Sequence, residues 1–258
     1  MDYTKHIFAG APVDFEVIDV HVHHGANPGY YPGPAGGDDI VHARGRLGVD
    51  ICCCTPGATA SDFDYFNEQL AKSLDKHPHK LRGYVMITPH DAADPDRWFK
   101  RSPGFIGLKS IPFCQGEVSI DDPRRWDYYA YADRRGLPVL VHTWAAPEVE
   151  ATTRMAEKYP NARFIVAHAA LTGSAAKQAL IDGMKQCENM ACDTAISDTY
   201  DGALEWFVDK VGADRVLYGS DFITFECSHI LGRVAMSKLT DDEKEKIFSR
   251  NARQWLRL

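Results

Sequence analysis

Short apolar runs alternate with segments of helical periodicity along the whole chain. Eight of these runs predict β-strands, at about 16–23, 49–55, 81–88, 104–111, 138–144, 162–168, 188–194 and 214–220. Strands that alternate with helices favour a parallel sheet, because each helix carries the chain back to the same end of the sheet. Eight such strands predict an α/β protein with a single closed (β/α)8 TIM barrel.

Helical patterns lie between these strands and after the last one. They cover residues 63–76, 123–135, 147–159, 174–187 and 202–211. Near the C-terminus, Thr240 and Glu243 form a capping-box pattern, which predicts the start of a helix that runs into Arg250. We therefore expect one domain over residues 1–258, with an N-terminal extension at about 1–15 and C-terminal helices at about 240–258.

The first predicted strand carries two histidines two positions apart, in the segment Asp19-Val20-His21-Val22-His23. Because side chains alternate along a strand, His21 and His23 are expected on one face, where they would form a metal pincer. The other face carries the apolar side chains Ile18, Val20 and Val22. Asp19 shares the face of His21 and is expected to anchor the floor of the site. Histidine pairs on strands also occur as hydrogen-bonded core residues. Residues on the later strands therefore decide whether this pair is expected to bind a metal.

Three later strands also end in a polar group that can bind a metal or transfer a proton. These groups are His142, His168 and Asp221, and Lys109 stands near the end of the fourth strand. In α/β barrels the functional groups collect at the carboxyl ends of the strands, while the strand bodies fill the interior. We therefore expect these side chains to meet at one end of the barrel.

Two stretches near the predicted site carry aromatic residues. Residues 27–37 hold three prolines, four glycines and Tyr30, which favours a long loop after the first strand. In a barrel this loop overhangs the site. Trp144 follows His142 on the fifth strand. We expect Tyr30 and Trp144 to line the pocket, although aromatic residues at a barrel mouth are also ordinary packing.

Composition excludes several classes of protein. The length of 258 residues matches the roughly 250 residues typical of one α/β barrel. A formal charge of −7 argues against nucleic acid or an anionic membrane as the main partner. No apolar run reaches the roughly 18 residues of a membrane span, and the N-terminus has no signal-peptide pattern. The seven cysteines show no CxxC pairing. Reduced thiols in a cytoplasmic enzyme are the simpler account.

Several of these segments together resemble the amidohydrolase superfamily. The similarity is to its amidohydrolase-2 branch, which includes aminocarboxymuconate semialdehyde decarboxylase and related decarboxylases and lactonases. The matching segments are residues 18–23, 104–109, 138–142, 167–168, 217–221 and 251–252. Each segment alone is weak evidence for the family. Their order and their spacing at barrel intervals together make the resemblance specific. It spans almost the whole chain and does not extend to the loops that would hold a substrate.

The resemblance implies a role for each polar strand end. It implies that His21, His23, His142 and Asp221 bind one divalent metal. His168 would lie beside the metal-bound water and transfer a proton, and Asp221 would be catalytic as well as a ligand. Three neutral imidazoles and a carboxylate suit Zn²⁺, our first choice, while Mn²⁺ and Fe²⁺ accept the same ligands.

Such a site supports more than one function. We expect a metal-dependent hydrolase that acts through the bound water on a small, carboxylated or cyclic carbon compound. The alternative within the family is a decarboxylase of unsaturated or aromatic carboxylates. The alternative from another class is a barrel that binds a metal or ligand without turnover. A homodimer is a further expectation.

Lys109 leaves two interpretations open. In other branches of the superfamily a carboxylated lysine at about this position bridges two metals, with the fifth- and sixth-strand histidines on the second metal. In the amidohydrolase-2 branch the site usually holds one metal and this lysine stays an amine. Lys109 would then meet a substrate carboxylate or pair with a nearby acid such as Asp193. We favour one metal.

Overall fold

Eight parallel strands form the centre of the molecule in the computed structural model. The structure describes residues 9, 13–25, 35–57, 62–86, 95–112, 118–168, 173–195 and 200–258. The strands are β1 Ile18–His24, β2 Ile51–Pro56, β3 Leu81–Met86, β4 Phe105–Ser110, β5 Pro138–His142, β6 Arg163–Ala167, β7 Met190–Asp193 and β8 Val216–Leu217. Each predicted strand is confirmed within a few residues at its ends.

The strands follow one another in sequence order around the sheet, from β1 to β8. Hydrogen bonds between β1 and the segment around β8 join the two edges. Val20 N donates to Tyr218 O at 2.9 Å, and Asp221 N donates to His21 O at 2.8 Å. The predicted (β/α)8 barrel is therefore confirmed, and we call the β1–β8 junction the seam.

Two apolar layers lie on the two sides of the sheet. The inner layer takes at least one side chain from every strand, namely Ile18, Val20, Ile51, Cys53, Tyr84, Ile106, Leu140, Ile165, Ala167, Ala191 and Leu217. Ala252, Trp255 and Leu256 belong to the same cluster and close the amino end of the barrel. The outer layer packs the strands against the helices. These apolar side chains fill the interior and the amino end of the barrel, so polar side chains can lie at its carboxyl end.

The helices of the described residues surround the sheet. They are α1 Gly37–Gly45, α2 Phe63–Lys76, α3 Asp96–Arg101, α4 Trp126–Arg135, α5 Ala146–Lys158, α6 Ser174–Gln186, α7 Ala203–Val211, α8 Ser228–Ala235, α9 Asp241–Glu245 and α10 Asn251–Leu256. A short 3₁₀ helix Pro123–Arg125 precedes α4, and a π-helical turn Lys246–Arg250 joins α9 to α10. None of the described helices is both long and apolar enough to span a membrane.

The predicted caps explain where several helices begin. Thr240 accepts a hydrogen bond from Glu243 N at 3.3 Å, and the Glu243 carboxylate accepts one from Thr240 N at 2.8 Å. This capping box is confirmed. Three helices were not predicted: α1, α3 and α8. α3 buries only Trp98 and α1 buries only Gly37, Ile40 and Arg44, so their apolar patterns are weak.

The first strand departs from regular alternation. Asp19 pairs with Cys52 and Val22 pairs with Cys54, so β1 holds one more residue than β2 between these positions. This extra residue is a β-bulge, which reverses the side-chain alternation from that point onward. The two histidines share a face as predicted, but the predicted faces of Ile18, Asp19 and Val20 relative to them are wrong.

The bulge places Val20 and His21 on the same, inner side of the sheet. Val22 packs in the outer layer, so it does not share a face with Val20 as predicted. Asp19 also points outward, where it pairs with Arg44 at 2.6 Å. The prediction that Asp19 shares the face of His21 is therefore wrong, because the extra residue lies between them.

Candidate metal centre

The predicted polar groups meet at the carboxyl end of the barrel. His21 and His23 lie on β1, Lys109 on β4 and His142 at the end of β5. His168 follows β6 directly, and Asp221 lies four residues after β8. The side chains of this cluster are buried, with exposed fractions of 0–8% for His21, His23, Lys109, His142, His168 and Asp221.

In the described part of the chain, the compact group of possible metal ligands consists of His21, His168 and Asp221. Each offers one ligand atom, and these atoms lie within 4.8 Å of one another. His21 Nε2 is 3.6 Å and His168 Nε2 is 3.9 Å from the nearer Asp221 oxygen. Two ligands of a tetrahedral metal with bonds of about 2.1 Å lie about 3.4 Å apart. The spacing and the donor types therefore fit a divalent cation.

His23 and His142 lie at the edge of this group. His23 Nε2 is 2.8 Å from Asp221 Oδ1, and its Nδ1 is 3.1 Å from Thr55 Oγ1. His142 Nδ1 is 3.3 Å from His168 Nε2. All five residues predicted as ligands or proton-transferring groups are thus brought together. His168 stands in the compact group, whereas the sequence interpretation gave the ligand role to His142.

Backbone strain occurs at two residues of this group. His168 has a φ of 65° and Asp221 a φ of 57°, and Arg257 is the only other described non-glycine residue with positive φ. Regular alternation would point His168 outward, on the side of Val166. The left-handed backbone instead turns the imidazole into the barrel. Such conformations are unfavourable for residues with a side chain and concentrate at functional sites.

Asp193 is a site residue that the sequence interpretation mentioned only as a partner for Lys109. Its Oδ2 is 2.8 Å from His21 Nδ1. Its Oδ1 accepts backbone hydrogen bonds from His168 at 3.2 Å and from Ala195 at 3.0 Å. A carboxylate that accepts the Nδ1–H of a histidine leaves Nε2 with its lone pair toward the site. The position of Asp193 as the last residue of β7 is the signal that could have identified it.

Lys109 is buried and lies next to His21. Its Nζ is 3.0 Å from His21 Nε2, the nitrogen that faces Asp221. An ammonium and a metal cannot both use the single lone pair of this nitrogen. Lys109 thus lies in the site, beside the position expected for a cation. A cation bound to His21 Nε2 would replace this hydrogen bond.

Electrostatics favours neutral imidazoles and an ionised carboxylate. Burial, followed by the charge of Lys109, lowers the pKa of His21 well below its usual value. Burial and the neighbouring His168 do the same to the pKa of His142. Burial alone would raise the pKa of Asp221, but contacts with His21 and His23 outweigh it and lower this pKa. Metal ligation requires these same protonation states.

The two aromatic residues predicted at the pocket have different outcomes. The exposed fraction of Trp144 is 43%, and its ring stacks on His168 with 4.9 Å between ring centroids and 7° between ring planes. One face of the indole therefore covers His168. Tyr30 lies outside the described residues.

Comparison with protein families decides the class of this chain. The model of the amidohydrolase family Amidohydro_2 matches residues 18–258, which is almost the whole chain. The chain belongs to this amidohydrolase family. The predicted family is therefore confirmed. The prediction that the chain is an enzyme of the hydrolase or decarboxylase type is also confirmed. A comparison with curated proteins finds no match.

Solved structures share the fold of this amidohydrolase at low sequence identity. A dihydroxybenzoic acid decarboxylase from Polaromonas sp. JS666, with bound manganese and the inhibitor 2-nitroresorcinol, is 16% identical, with a TM-score of 0.74 over 94% of this chain and 97% of its own. A 5-carboxyvanillate decarboxylase from Sphingomonas paucimobilis is 14% identical, with a TM-score of 0.71 over 94% and 99%. A probable 2-pyrone-4,6-dicarboxylic acid hydrolase from Acinetobacter baumannii, with bound citric acid, is 10% identical, with a TM-score of 0.74 over 95% and 100%.

Proposed function

We propose that this amidohydrolase binds one divalent cation through His21, His23, His142 and Asp221 and hydrolyses a small, carboxylated or cyclic carbon compound. The observation that carries the proposal is the convergence of five buried side chains at one site: His21, His168 and Asp221 offer ligand atoms within 4.8 Å, and His23 and His142 contact Asp221 and His168. A cation held by these residues would polarise a substrate carbonyl and lower the pKa of a bound water to about 7.

His168 and Asp221 are the proposed proton-transferring groups. His168 Nδ1 is 3.0 Å from the carbonyl oxygen of Ala195, which can only accept a hydrogen bond. Nδ1 therefore carries a proton, and a second proton would be accepted by Nε2 on the site side. Asp221 is ionised, so it is ready both to ligate a cation and to accept a proton. The left-handed backbone conformations of both residues turn these groups toward the site.

Lys109 and Trp144 are the proposed substrate contacts, together with Tyr30. An ammonium at the base of a buried site attracts a substrate carboxylate. The half-exposed indole of Trp144 offers a flat apolar surface beside His168. We keep the amine form of Lys109 and one metal, as in the family resemblance. Carboxylation of Lys109 remains the alternative, and a binuclear site would then include His168.

Zinc is the proposed metal. Three imidazoles and one carboxylate are ligand types that Zn²⁺ takes in proteins. Manganese is the second choice, because a decarboxylase with this fold has bound manganese. Iron in its Fe²⁺ state accepts the same donor set.

Decarboxylation is the second candidate function. Two of the three solved structures described above are named as decarboxylases of hydroxylated aromatic acids. The stacked pair of Trp144 and His168 supports this candidate, because a flat indole at the pocket suits a planar ring. The same His168 would then supply a proton to carbon instead of taking one from water.

Product analysis separates the proposals. The purified protein, loaded with Zn²⁺ or Mn²⁺, is incubated with a pyrone or other lactone dicarboxylate and with hydroxylated benzoates. Hydrolysis gives the ring-opened acid, whereas decarboxylation releases carbon dioxide from a ¹³C-labelled carboxylate. A metal-loaded protein that binds these compounds in calorimetry without forming product would contradict both proposed reactions on them. Cytoplasmic localisation and a homodimer remain predictions from the sequence.

A further inference from the structure

A buried carboxylate lies behind the candidate metal centre, on the outer side of the barrel wall. Asp19 Oδ1 accepts hydrogen bonds from the backbone N–H groups of His21 at 3.1 Å and Ser220 at 3.0 Å. Its Oδ2 accepts from Ser220 Oγ at 2.5 Å and from Arg44 Nη2 at 2.6 Å. One side chain thus ties together β1, helix α1 and the segment that follows β8.

This carboxylate lies at the seam, where the barrel has little regular pairing. β8 contains only two residues, Val216–Leu217, and Asp221 lies beyond its end. Beyond β8 the seam is held by Asp221 N donating to His21 O at 2.8 Å and by His23 N donating to Phe222 O at 2.5 Å. The position of Asp221 therefore depends on individual contacts more than on a continuous strand ladder.

Both neighbours of Asp221 are held by this group of side chains. Ser220 bonds to Asp19 through its backbone and its hydroxyl, and Ser220 Oγ in turn accepts from Phe222 N at 3.2 Å. The Arg44 guanidinium lies over the Phe222 ring, 5.5 Å from its centroid. Asp221 sits between them with its left-handed φ of 57°. A strained residue keeps such a conformation only when its surroundings hold it there.

The charges of Asp19 and Arg44 complete the arrangement. Both side chains are almost fully buried, with exposed fractions of 0% and 1%. A charged group buried alone is strongly unfavourable, so the 2.6 Å contact between Arg44 and Asp19 stabilises both side chains at the seam. Arg44 Nη2 also donates to Tyr218 OH at 3.0 Å, which adds a contact to the strand before Asp221.

We propose that Asp19, Arg44 and Ser220 form a seam clamp that positions Asp221 for cation binding. Asp19 is a positioning residue, because it acts through the backbone on both sides of the site and does not face the cation. The metal-binding part of this inference rests on the proposed function. The clamping of the seam does not, since it concerns contacts within the chain.

The first test measures hydrogen exchange in the metal-free protein. Asp19→Asn keeps the shape of the side chain but loses its charge and presents an amide to Arg44 or Ser220. Hydrogen bonds to charged groups are strong enough to change an opening equilibrium by about 10- to 100-fold. Amides of residues 218–224 should exchange faster by that factor. Exchange in β4 and β5 should stay at the wild-type rate.

Asp50→Asn is the matched control. Asp50 Oδ2 accepts a hydrogen bond from Val17 N at 3.0 Å, just before the start of β1. This variant also removes a carboxylate that holds the backbone next to β1, but at the opposite end of the strand from the site. Exchange of residues 218–224 should be unchanged in it. Equal acceleration in both variants would overturn the clamp, because the effect would then be general destabilisation.

Ser220→Ala covers the case in which Asp19→Asn fails to fold. It keeps the ion pair and removes only the hydroxyl that bridges Asp19 and Phe222. Because this hydroxyl donates to the charged Asp19 carboxylate, exchange of residues 218–224 should accelerate by about 10-fold or more. Wild-type exchange in this variant would overturn the proposal.

The second test measures Zn²⁺ affinity by competition with a chromogenic chelator, and the absorption spectrum of the Co²⁺-loaded protein. Loss of a residue that orients a metal ligand typically weakens affinity by about 10- to 100-fold. Asp19→Asn should show this loss and a changed cobalt spectrum, whereas Asp50→Asn should match wild type. Wild-type affinity in Asp19→Asn would overturn the positioning role. Absence of binding in wild type would overturn the proposed function, and exchange alone would then decide the clamp.

Discussion

Replacement of Asp193 by asparagine tests how the candidate metal centre is prepared. Asp193 Oδ2 lies 2.8 Å from His21 Nδ1, while its Oδ1 accepts backbone hydrogen bonds from His168 and Ala195. An asparagine retains an oxygen for the two backbone donors. It places an NH₂ group against His21 Nδ1, which favours the tautomer that carries the proton on Nε2. His21 would then present an N–H where a metal requires a lone pair.

The size of the effect follows from this hydrogen bond. A hydrogen bond to a charged group contributes about 1.5–3 kcal/mol, and each tenfold change in affinity corresponds to about 1.4 kcal/mol. We therefore expect Asp193→Asn to weaken Zn²⁺ binding by about 10- to 100-fold, in agreement with the usual effect of such supporting carboxylates. The loss should appear in the dissociation constant, with the number of sites unchanged.

Chelator competition measures the dissociation constant, and thermal unfolding of the metal-free protein verifies the fold. Asp133→Asn is the control, because Asp133 accepts backbone hydrogen bonds from Asn161 at 2.7 Å and Ala162 at 3.3 Å but lies on the surface, at the far end of β6 from His168. It should bind Zn²⁺ like wild type. Wild-type affinity in Asp193→Asn would refute the tautomer argument.

Four further predictions concern the same site. The double substitution His21→Ala, His23→Ala should leave little metal by elemental analysis, and equal metal in both proteins would remove this pair from the ligand set. His168→Asn should keep most of the metal and lose activity by about 10² to 10⁴-fold. If the variant instead loses the metal but is active once metal is restored, His168 is a metal ligand and His142 is the proton-transferring group. Metal titration with added bicarbonate should give one metal per chain, whereas two per chain, reduced to one by Lys109→Ala, would establish a binuclear site. In the metal-free protein, burial raises the pKa of Asp193 to about 6 from 3.8, so its protonation favours the folded state. Relative to Asp193→Asn, wild type should therefore gain about 2 kcal/mol of unfolding free energy as the pH falls from 7 to 4, measured by urea unfolding; a loss over this pH range would contradict the burial of the carboxylate.

The barrel could be predicted because strand periodicity is a local property. Each strand is short, apolar and followed by a turn or a helical pattern, and eight repeats of this unit leave few arrangements other than a closed barrel. Two of the helices that escaped prediction, α1 and α3, show the limit of the same signal. α3 has six residues and buries only Trp98, so its pattern is too short to be distinguished from a loop.

Most of the candidate site was also predictable. His142 and Asp221 stand at or after strand ends, and all strands of a parallel barrel end at one face. A local pattern therefore places distant residues in one site. Asp193 obeys the same rule, but a carboxylate at a strand end does not by itself reveal which histidine it supports.

The sequence by itself thus determined the fold, the family and most of the polar side chains expected at the carboxyl face. Only the tertiary structure decided how those side chains are aimed. The bulge in β1 sends Asp19 outward and His21 inward. Gly219 leaves room for His21 and Asp193, since a Cβ there would lie 3.0 Å from the Cβ atoms of both. The left-handed backbones of His168 and Asp221 likewise depend on contacts with segments far away in the chain. Hydrophobic periodicity arises from neighbours a few positions apart, whereas bulges, strained backbone and tautomers are set by atoms that meet only after folding.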